Sequence, residues 1–327
     1  MSAHRVTDEQ RELVESFLRP LDTLLPLGRL NDSAAAGDDA KWSELAELGL
    51  LAAAVSEAIG GAGLGAVECA LMAEHLGRCL ASPTLIATMI AAPLIEPTLP
   101  DLAKDLATGQ ARAAFGFRQA GGLIAADAHN AQLLVVMSED HIAIHECRER
   151  DPSFEEAWTL WSSTLAPARS FKTILTTQNK SHLATAQLLL AAQASGIAAG
   201  ARDAGVDYAK SRQQFGQAIG AFQAIKHRCA DMAMQALAAS DLVSFASIAV
   251  AEQRPDAPFL AASALNVALR GALRNAEANI QIHAGMGFSQ ECAANHYLKR
   301  TRVLEAVSGQ LSAVRRRLLA AQFSLAG

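Results

Sequence analysis

The sequence predicts a mainly α protein with a small β domain in its centre, and three observations support this fold class. Apolar residues make up 51% of the 327 residues and charged residues only 19%, which is typical of a well-packed globular chain. Apolar residues at helical spacing dominate both ends of the chain, whereas its centre consists of short β-prone runs between turn residues. We therefore predict an N-terminal helical domain at 1–110, a reduced β domain at 111–180 and a C-terminal helical bundle at 181–327.

The N-terminal domain begins with a helix-capping signal. Thr7 and Gln10 have the spacing of a capping box, and Pro20 is expected to limit this first helix. The run 40–50, "AKWSELAELGL", predicts a second amphipathic helix. At 57–78 a glycine-rich turn leads into another helix. Because no strand precedes these glycines and no Lys-Ser or Lys-Thr follows them, they do not predict a phosphate-binding loop.

The central segment predicts strands. Its β-prone runs are 111–117, 131–137, 141–146 and 170–177. His141 and His145 lie four residues apart in one of these runs, which places both on one face of a strand. Two histidines alone do not make a metal site, so we expect both side chains to be solvated.

The C-terminal segment predicts long helices. Their expected ranges are 181–211, 221–252, 257–283, 289–306 and 309–324. Helices of this length indicate a bundle in which neighbours bury a long apolar stripe. The apolar stretch 183–201 contains Gly196 and Gly200 at G-x-x-x-G spacing, but Gln187, Gln193 and Ser195 interrupt it. We interpret it as a buried helix with close packing and not as a membrane span.

The overall composition argues against several classes of function. A formal net charge of −5 and an isoelectric point near 6.0 disfavour nucleic acid as a main partner. The N-terminus is polar and acidic, unlike a secretory signal. The cysteines are odd in number and form no C-x-x-C motif, which indicates reduced thiols and a cytoplasmic protein; they are Cys69, Cys79, Cys147, Cys229 and Cys292.

Two motifs interrupt the C-terminal helices. The first is "YAKSRQQFGQAIGAFQ" at 208–223, and the second is "QIHAGMG" at 281–287. Together they resemble the signature pair of the acyl-CoA dehydrogenase family, Y-A-x-x-R-x-x-F-G-x-x-I-x-x-F-Q and Q-x-x-G-G-x-G, with Ala284 in place of the first glycine of the second motif. The N-terminal run 47–78 also resembles the family. This resemblance implies an N-terminal helical domain, a central β-barrel-like domain and a C-terminal four-helix bundle.

The resemblance implies an FAD cofactor shared across a subunit interface. Arg212 would place its guanidinium on the flavin pyrophosphate, because a fixed fork of donors suits phosphate oxygens. The backbone at Ala284 and Gly285 would approach the ADP half, where a missing side chain allows close contact. The residues that the resemblance assigns to the cofactor are Arg212, Gln214, Phe215, Phe222, Gln223, Gln281, Ala284 and Gly285.

The sequence departs from the family at the catalytic base. The family reaction is FAD-dependent α,β-dehydrogenation of an acyl-CoA thioester, and it needs a carboxylate that removes the α-proton. The two family positions of this glutamate are occupied here by Arg270 and Ser308, so no catalytic residue is predicted at either. Glu305 and Glu277 lie near these positions and are expected to be charges on helix surfaces.

Other parts of the family's substrate pocket are also missing. Ala184 and Gln187 stand where many members carry the D-x-x-R pair, and the T-E-P-x-A-G-S-D stretch is replaced by "GFRQAGGLIAADAHN" at 116–130. We therefore interpret the chain as the non-catalytic subunit of a heteromeric, α2β2 acyl-CoA dehydrogenase of the bacterial steroid side-chain type. Its expected partners are a catalytic sister subunit, an acyl-CoA substrate and an electron-transfer acceptor, without membrane insertion.

Three alternatives remain open. The chain is an active homotetramer if Glu305 acts as a displaced base. A scaffold that has lost flavin entirely would keep the same fold. A flavin monooxygenase or oxidase on this fold is a further alternative, although the sequence offers no residue to manage an oxygen adduct.

Overall fold

The computed structural model describes residues 6–31, 41–119, 122–147, 158–160, 163–168, 171–289 and 292–309, together with 312, 315, 316 and 318. The helices are α1 Asp8–Leu24, α2 Trp42–Glu47, α3 Ala66–Arg78, α4 Pro83–Ile95, α5 Pro100–Ala107, α6 Lys180–Ser211, α7 Gln223–Ala251, α8 Ala257–His283 and α9 Ala293–Val307. The strands are β1 Ala113–Gln119, β2 Gly122–Ala126, β3 Leu133–Met137, β4 Ile142–Cys147, β5 Trp158–Leu160, β6 Ser163–Ala168, β7 Phe171–Thr177, β8 Gln213–Gln214 and β9 Gln217–Ala218. The predicted helix at 309–324 lies mostly outside the described residues.

The start of the chain confirms one prediction and corrects another. The Thr7 side chain accepts a hydrogen bond from the Gln10 backbone, and the Gln10 side chain accepts one from the Thr7 backbone. Pro20, expected to limit this helix, lies inside α1, which continues to Leu24. Leu21 and Leu25 beyond the proline are buried in the core. Their burial outweighs the backbone hydrogen bond that the proline removes.

Helices α3 and α6 cross with their backbones in contact. A Cβ on Gly196 would lie 1.8 Å from the Glu74 carbonyl oxygen, and one on Gly77 would lie 2.0 Å from the Gln193 carbonyl oxygen. Only glycine permits this approach, because any larger residue would force the helices apart. The most apolar stretch of α6 is 94% buried, which confirms the predicted buried helix at 183–201.

A mixed sheet follows the first helices. Its strand order is β5-β6-β2-β1-β3-β4-β7, in which β1 and β3 are parallel and the other described pairs are antiparallel. Phe115 and Val135 on one face join the main hydrophobic core, whereas Leu134 and Val136 on the other face belong to a smaller cluster. The sheet is therefore buried on both faces near its centre, and it is held against the helices by α4, which packs on β1.

The expectation that His141 and His145 are both solvated is wrong for His145. Its side chain is buried, its Nδ1 lies 3.0 Å from Thr173 Oγ1, and its ring meets that of Phe171 edge to face. Burial lowers the pKa of His145 below its usual value, and the positive charge of Arg118 lowers it further. His141, in contrast, is half-exposed and lies 2.8 Å from Asp140.

The buried His145 predicts a pH-dependent stability. As the pH falls below about 6.5, the unfolded chain binds a proton at this residue before the native protein does, so the free energy of unfolding decreases. We expect His145→Gln to remove part of this decrease between about pH 7 and pH 5, as measured by urea unfolding. The wild-type protein, measured over the same pH range, is the reference. Equal slopes for the two proteins would contradict the prediction.

The last four helices form the bundle. Helix α6 packs against α8 and α7, and α9 closes the group by packing on α8. Helices α6 and α7 are both long and apolar enough to pass a length and composition test for membrane spans, but only 39% of the apolar stretch of α7 is buried. Met234 and Leu237 on α7 have exposed fractions of 60% and 61%. Helix α7 thus presents an apolar face to solvent in the single chain.

The five cysteines are free thiols. No disulfide joins any of the five, all of which lie in the described part of the chain. Burial raises the pKa of Cys69 to about 12, and the neighbouring Glu68 adds to this shift. A thiol with such a pKa stays protonated and is a poor nucleophile.

Candidate functional site

The first motif folds into an arm between α6 and α7. Helix α6 ends at Ser211, and Gln213 and Gln214 then pair with Gln217 and Ala218 in a two-residue hairpin. Phe215 and Gly216 at its tip have φ values of +50° and +80°. Positive φ at both central residues is the geometry of a tight hairpin turn that matches strand twist. Glycine adopts it readily, whereas phenylalanine is strained in it.

The arm presents its polar and aromatic side chains to solvent. Arg212, Gln214 and Gln223 are exposed, and the exposed fraction of Phe215 is 92%. Phe222 is half-buried and meets the Phe215 ring edge to face at 6.1 Å. Among the residues that the structure describes, none forms an ion pair with the Arg212 guanidinium. A strained, fully exposed aromatic beside an exposed cation is typical of a binding surface.

The second motif lies beside the arm at the end of α8. Tyr208 on α6 stacks on His283 of α8 with ring centroids 4.0 Å apart. Below this pair Ala209, Met232 and Ile282 form a small buried cluster, with Ile219 of the arm packed against it. The structure therefore brings the two motifs together at one end of the bundle.

The conformation of the second motif explains why the family pattern has glycine where this chain has Ala284. Ala284 has φ +52° and ψ −134°, a region that is nearly restricted to glycine. Gln281, Ala284 and Gly285 are all exposed, and a Cβ added to Gly285 would meet open space. The backbone at this corner is accessible to a ligand or to another chain.

Neither family position for the base carries a carboxylate. Arg270 is exposed on α8. Ser308 is buried at the end of α9, and its hydroxyl donates to the Glu305 carbonyl oxygen at 2.9 Å. Gln310, two residues later in the sequence, lies outside the described residues. The arginine and the serine at these two positions therefore supply no carboxylate that could act as the base.

The two nearby glutamates share one arginine. Arg302 donates to the Glu305 carboxylate at 2.8 Å and lies 4.0 Å from that of Glu277. Glu305 is half-buried and Glu277 is exposed. Both carboxylates therefore have Arg302 as their ion-pair partner, which is the setting expected of charges on a helix surface.

A small cavity lies where Gly309, just after α9, meets the sheet. Its volume is about 160 Å³, and its lining residues are Phe117, Arg118, Met137, Ser138, Glu139, Ala306 and Gly309. Ligand pockets usually have about 300–1,000 Å³, so this cavity is too small for a thioester beside a flavin ring. Glu139, which the sequence analysis did not consider, pairs with Arg316 at 2.9 Å.

A buried ion pair that the sequence analysis missed joins the sheet to the bundle. Arg300 of α9 donates to Asp127 at 3.0 Å, and the exposed fractions of the two side chains are 4% and 10%. Asp127 follows β2 with φ +48°, and Thr84 at the start of α4 donates to its carbonyl oxygen. Because the partners lie 173 residues apart, no local pattern indicated this pair.

Two family models match the sequence. The model for the acyl-CoA dehydrogenase N-terminal domain matches residues 7–99, and that for the C-terminal domain matches residues 176–323. The acyl-CoA dehydrogenase IpdE2 of Mycobacterium tuberculosis is 30% identical over 279 residues, covering 80% of each chain. The chain belongs to the acyl-CoA dehydrogenase family. Its assignment to this family from the two motifs is thereby confirmed.

A second relative, FadE34, is much longer than the present chain. The acyl-CoA dehydrogenase FadE34 of Mycobacterium tuberculosis is 30% identical over 329 residues, which cover 90% of this chain and 45% of FadE34. The chain thus spans a little under half the length of FadE34.

Solved structures confirm the acyl-CoA dehydrogenase fold. A variant of the Tcur3481–Tcur3483 steroid ACAD has a TM-score of 0.79 at 23% identity, covering 96% of this chain and 97% of its own. The ChsE4–ChsE5 complex from Mycobacterium tuberculosis has a TM-score of 0.78 at 19% identity, covering 98% and 100%. PigA with FAD and proline has a TM-score of 0.73 at 19% identity, covering 96% and 97%.

Proposed function

We propose that this chain is the base-lacking subunit of a heteromeric acyl-CoA dehydrogenase and completes the FAD site of a catalytic sister subunit. One contrast supports the proposal. The arm that would reach a neighbour's cofactor is exposed, whereas Arg270 and Ser308 occupy the family positions of the base and the cavity beside Gly309 has only about 160 Å³. A chain that turned over substrate by itself would need a carboxylate base beside a groove wide enough for the thioester.

The residues of the arm suit a dinucleotide. Arg212 offers a charged fork to the pyrophosphate, Gln214, Gln223 and Gln281 offer amide groups, and the backbone at Gly285 is open to close approach. None of these residues lines the cavity beside Gly309, which fits a cofactor seated mainly in another chain. FAD, when bound, accepts the hydride that leaves the β-carbon of the acyl thioester.

In this arrangement the two subunits contribute different groups to one active site. The sister chain would supply the carboxylate that removes the α-proton, and Arg212 with its neighbouring amides would hold the cofactor in place. The apolar face of α7, with Met234 and Leu237, would be covered in the assembly. The steroid ACAD Tcur3481–Tcur3483 and the ChsE4–ChsE5 complex each combine two different components, which supports this assembly and a steroid or lipid acyl-CoA as substrate.

Joint expression with the sister subunit tests the proposal. We expect a yellow complex with acyl-CoA dehydrogenase activity, and a colourless, inactive protein when this chain is expressed alone. A colourless, inactive joint complex would instead favour the flavin-free scaffold. A yellow, active homotetramer would favour the displaced-base alternative.

Glu305 and Glu139 provide a sharper test of that alternative. Because each pairs with an arginine, we expect Glu305→Gln and Glu139→Gln to leave turnover of the joint complex within about twofold of wild type. Removal of a general base costs about 10²–10⁴-fold. A loss of that size in either variant would place the base in this chain and contradict the proposed role.

A further inference from the structure

Three side chains of different chemistry meet where α1 packs on α3. Asp22 lies on α1, His75 lies on α3, and Cys79 caps the end of α3. His75 Nε2 lies 3.0 Å from Asp22 Oδ1, and the Cys79 thiol donates to the same oxygen at 3.6 Å. All three polar atoms lie within 4.8 Å of one another. None of the three belongs to the arm or to the cavity beside Gly309.

Two of the three spacings between these atoms match those around a tetrahedral zinc ion, and the third, between His75 Nε2 and Cys79 Sγ, is at most 4.8 Å. Zinc lies about 2.0–2.2 Å from imidazole nitrogen or carboxylate oxygen and about 2.3 Å from sulfur. Atoms at these distances in a tetrahedron are about 3.2–3.6 Å apart, close to the 3.0 Å and 3.6 Å observed. His75 and Cys79 are four residues apart, so α3 places both on one face.

The Arg29 side chain holds the backbone at Cys79 in place. The Arg29 guanidinium donates to the carbonyl oxygens of Cys79 at 2.9 Å and Leu80 at 3.2 Å. Leu80 has φ +53°, a conformation that a leucine keeps only where its surroundings hold it. The backbone that carries the sulfur is therefore held in place before any ion binds.

The exposures of the three groups suit an ion that enters from solvent. The Cys79 residue is 5% exposed, whereas the side chains of His75 and Asp22 are 19% and 73% exposed. The buried sulfur and the half-buried ring form the inner wall, and the carboxylate closes the site from the outside. The solvent side leaves room for water as a fourth ligand.

We propose that Asp22, His75 and Cys79 bind one zinc ion that clips α1 onto α3. A thiolate and an imidazole select zinc over magnesium or calcium, which prefer oxygen ligands. On binding, the Cys79 sulfur–hydrogen bond breaks, a sulfur–zinc bond forms, and the proton leaves to solvent. The neutral His75 ring donates a lone pair, Asp22 donates as a carboxylate, and no group changes oxidation state.

Metal titration of the full chain tests this site without flavin or partner. After treatment with a chelator, the protein should bind one equivalent of Zn²⁺ by calorimetry, and its melting temperature should rise. Co²⁺ as a probe should give the near-ultraviolet absorption of a thiolate-bound cobalt ion. Asp22→Asn and Cys79→Ser should each weaken Zn²⁺ binding about tenfold or more, and Cys79→Ser should abolish the cobalt absorption.

Two control variants distinguish this site from adventitious binding. Cys229→Ser removes a half-buried thiol on α7, and Asp101→Asn removes an exposed carboxylate on α5; both should bind zinc like wild type. Asp22 is exposed, so Asp22→Asn should fold normally even if Cys79→Ser does not. Unchanged zinc affinity in Asp22→Asn, or loss of the cobalt absorption in Cys229→Ser, would overturn the proposal. Because the assay needs no cofactor, its result is independent of the subunit role proposed above.

Discussion

Arg300→Met is expected to lower the free energy of unfolding by about 3–5 kcal/mol, because it removes one partner of a buried ion pair. Arg300 and Asp127 are 4% and 10% exposed and 3.0 Å apart. Methionine preserves much of the volume of the arginine stem, so the loss reports on charge and not on a cavity. Ser82 also donates to the Asp127 carboxylate at 3.3 Å, but a hydroxyl does not neutralise it.

The control for this change lies on the same helix. Arg302 of α9 pairs with Glu305, and its side chain is 38% exposed. Exposed ion pairs contribute about 0–1 kcal/mol, so Arg302→Met should change little. Urea unfolding of both variants, followed by circular dichroism, measures the difference. Equal losses of unfolding free energy in the two variants would show that burial does not increase the contribution of the Arg300–Asp127 pair to stability.

Arg212→Ala is expected to weaken FAD binding to the joint complex about 10–100-fold, since a hydrogen bond to a charged group contributes about 1.5–3 kcal/mol. The effect should appear as a lower ratio of flavin to protein absorbance in the purified complex. Arg212→Lys should fall between wild type and Arg212→Ala, because it keeps the charge but loses the fork of donors. This gradation separates contact with phosphate from a general effect of charge.

Lys210→Ala is the matched control for Arg212. Lys210 is an exposed cation two residues earlier, in the last turn of α6, and it is not assigned to the cofactor. Its removal should leave flavin content unchanged. If Arg212→Ala also left it unchanged, while the complex still formed, the cross-subunit role of the arm would be wrong.

Much of the fold was predictable because its signals are local. The capping box at Thr7, the buried stretch of α6 and the alternation of helices and strands follow from short-range patterns. The eight cofactor residues came from two contiguous motifs, and the structure brings these motifs together through the Tyr208–His283 stack. Their role in binding flavin stays a prediction, as do the exact domain bounds.

The sequence by itself determined the family, the mainly α fold and the lack of a glutamate at Arg270 and Ser308, because each of these features depends on residues that are close together in the chain. Only the tertiary structure decided that α1 continues past Pro20, that His145 is buried, and that Arg300 holds Asp127. These outcomes depend on side chains that are distant in sequence and meet only after packing. Burial and charge pairing are properties of that packing, so no local pattern in the chain could indicate them.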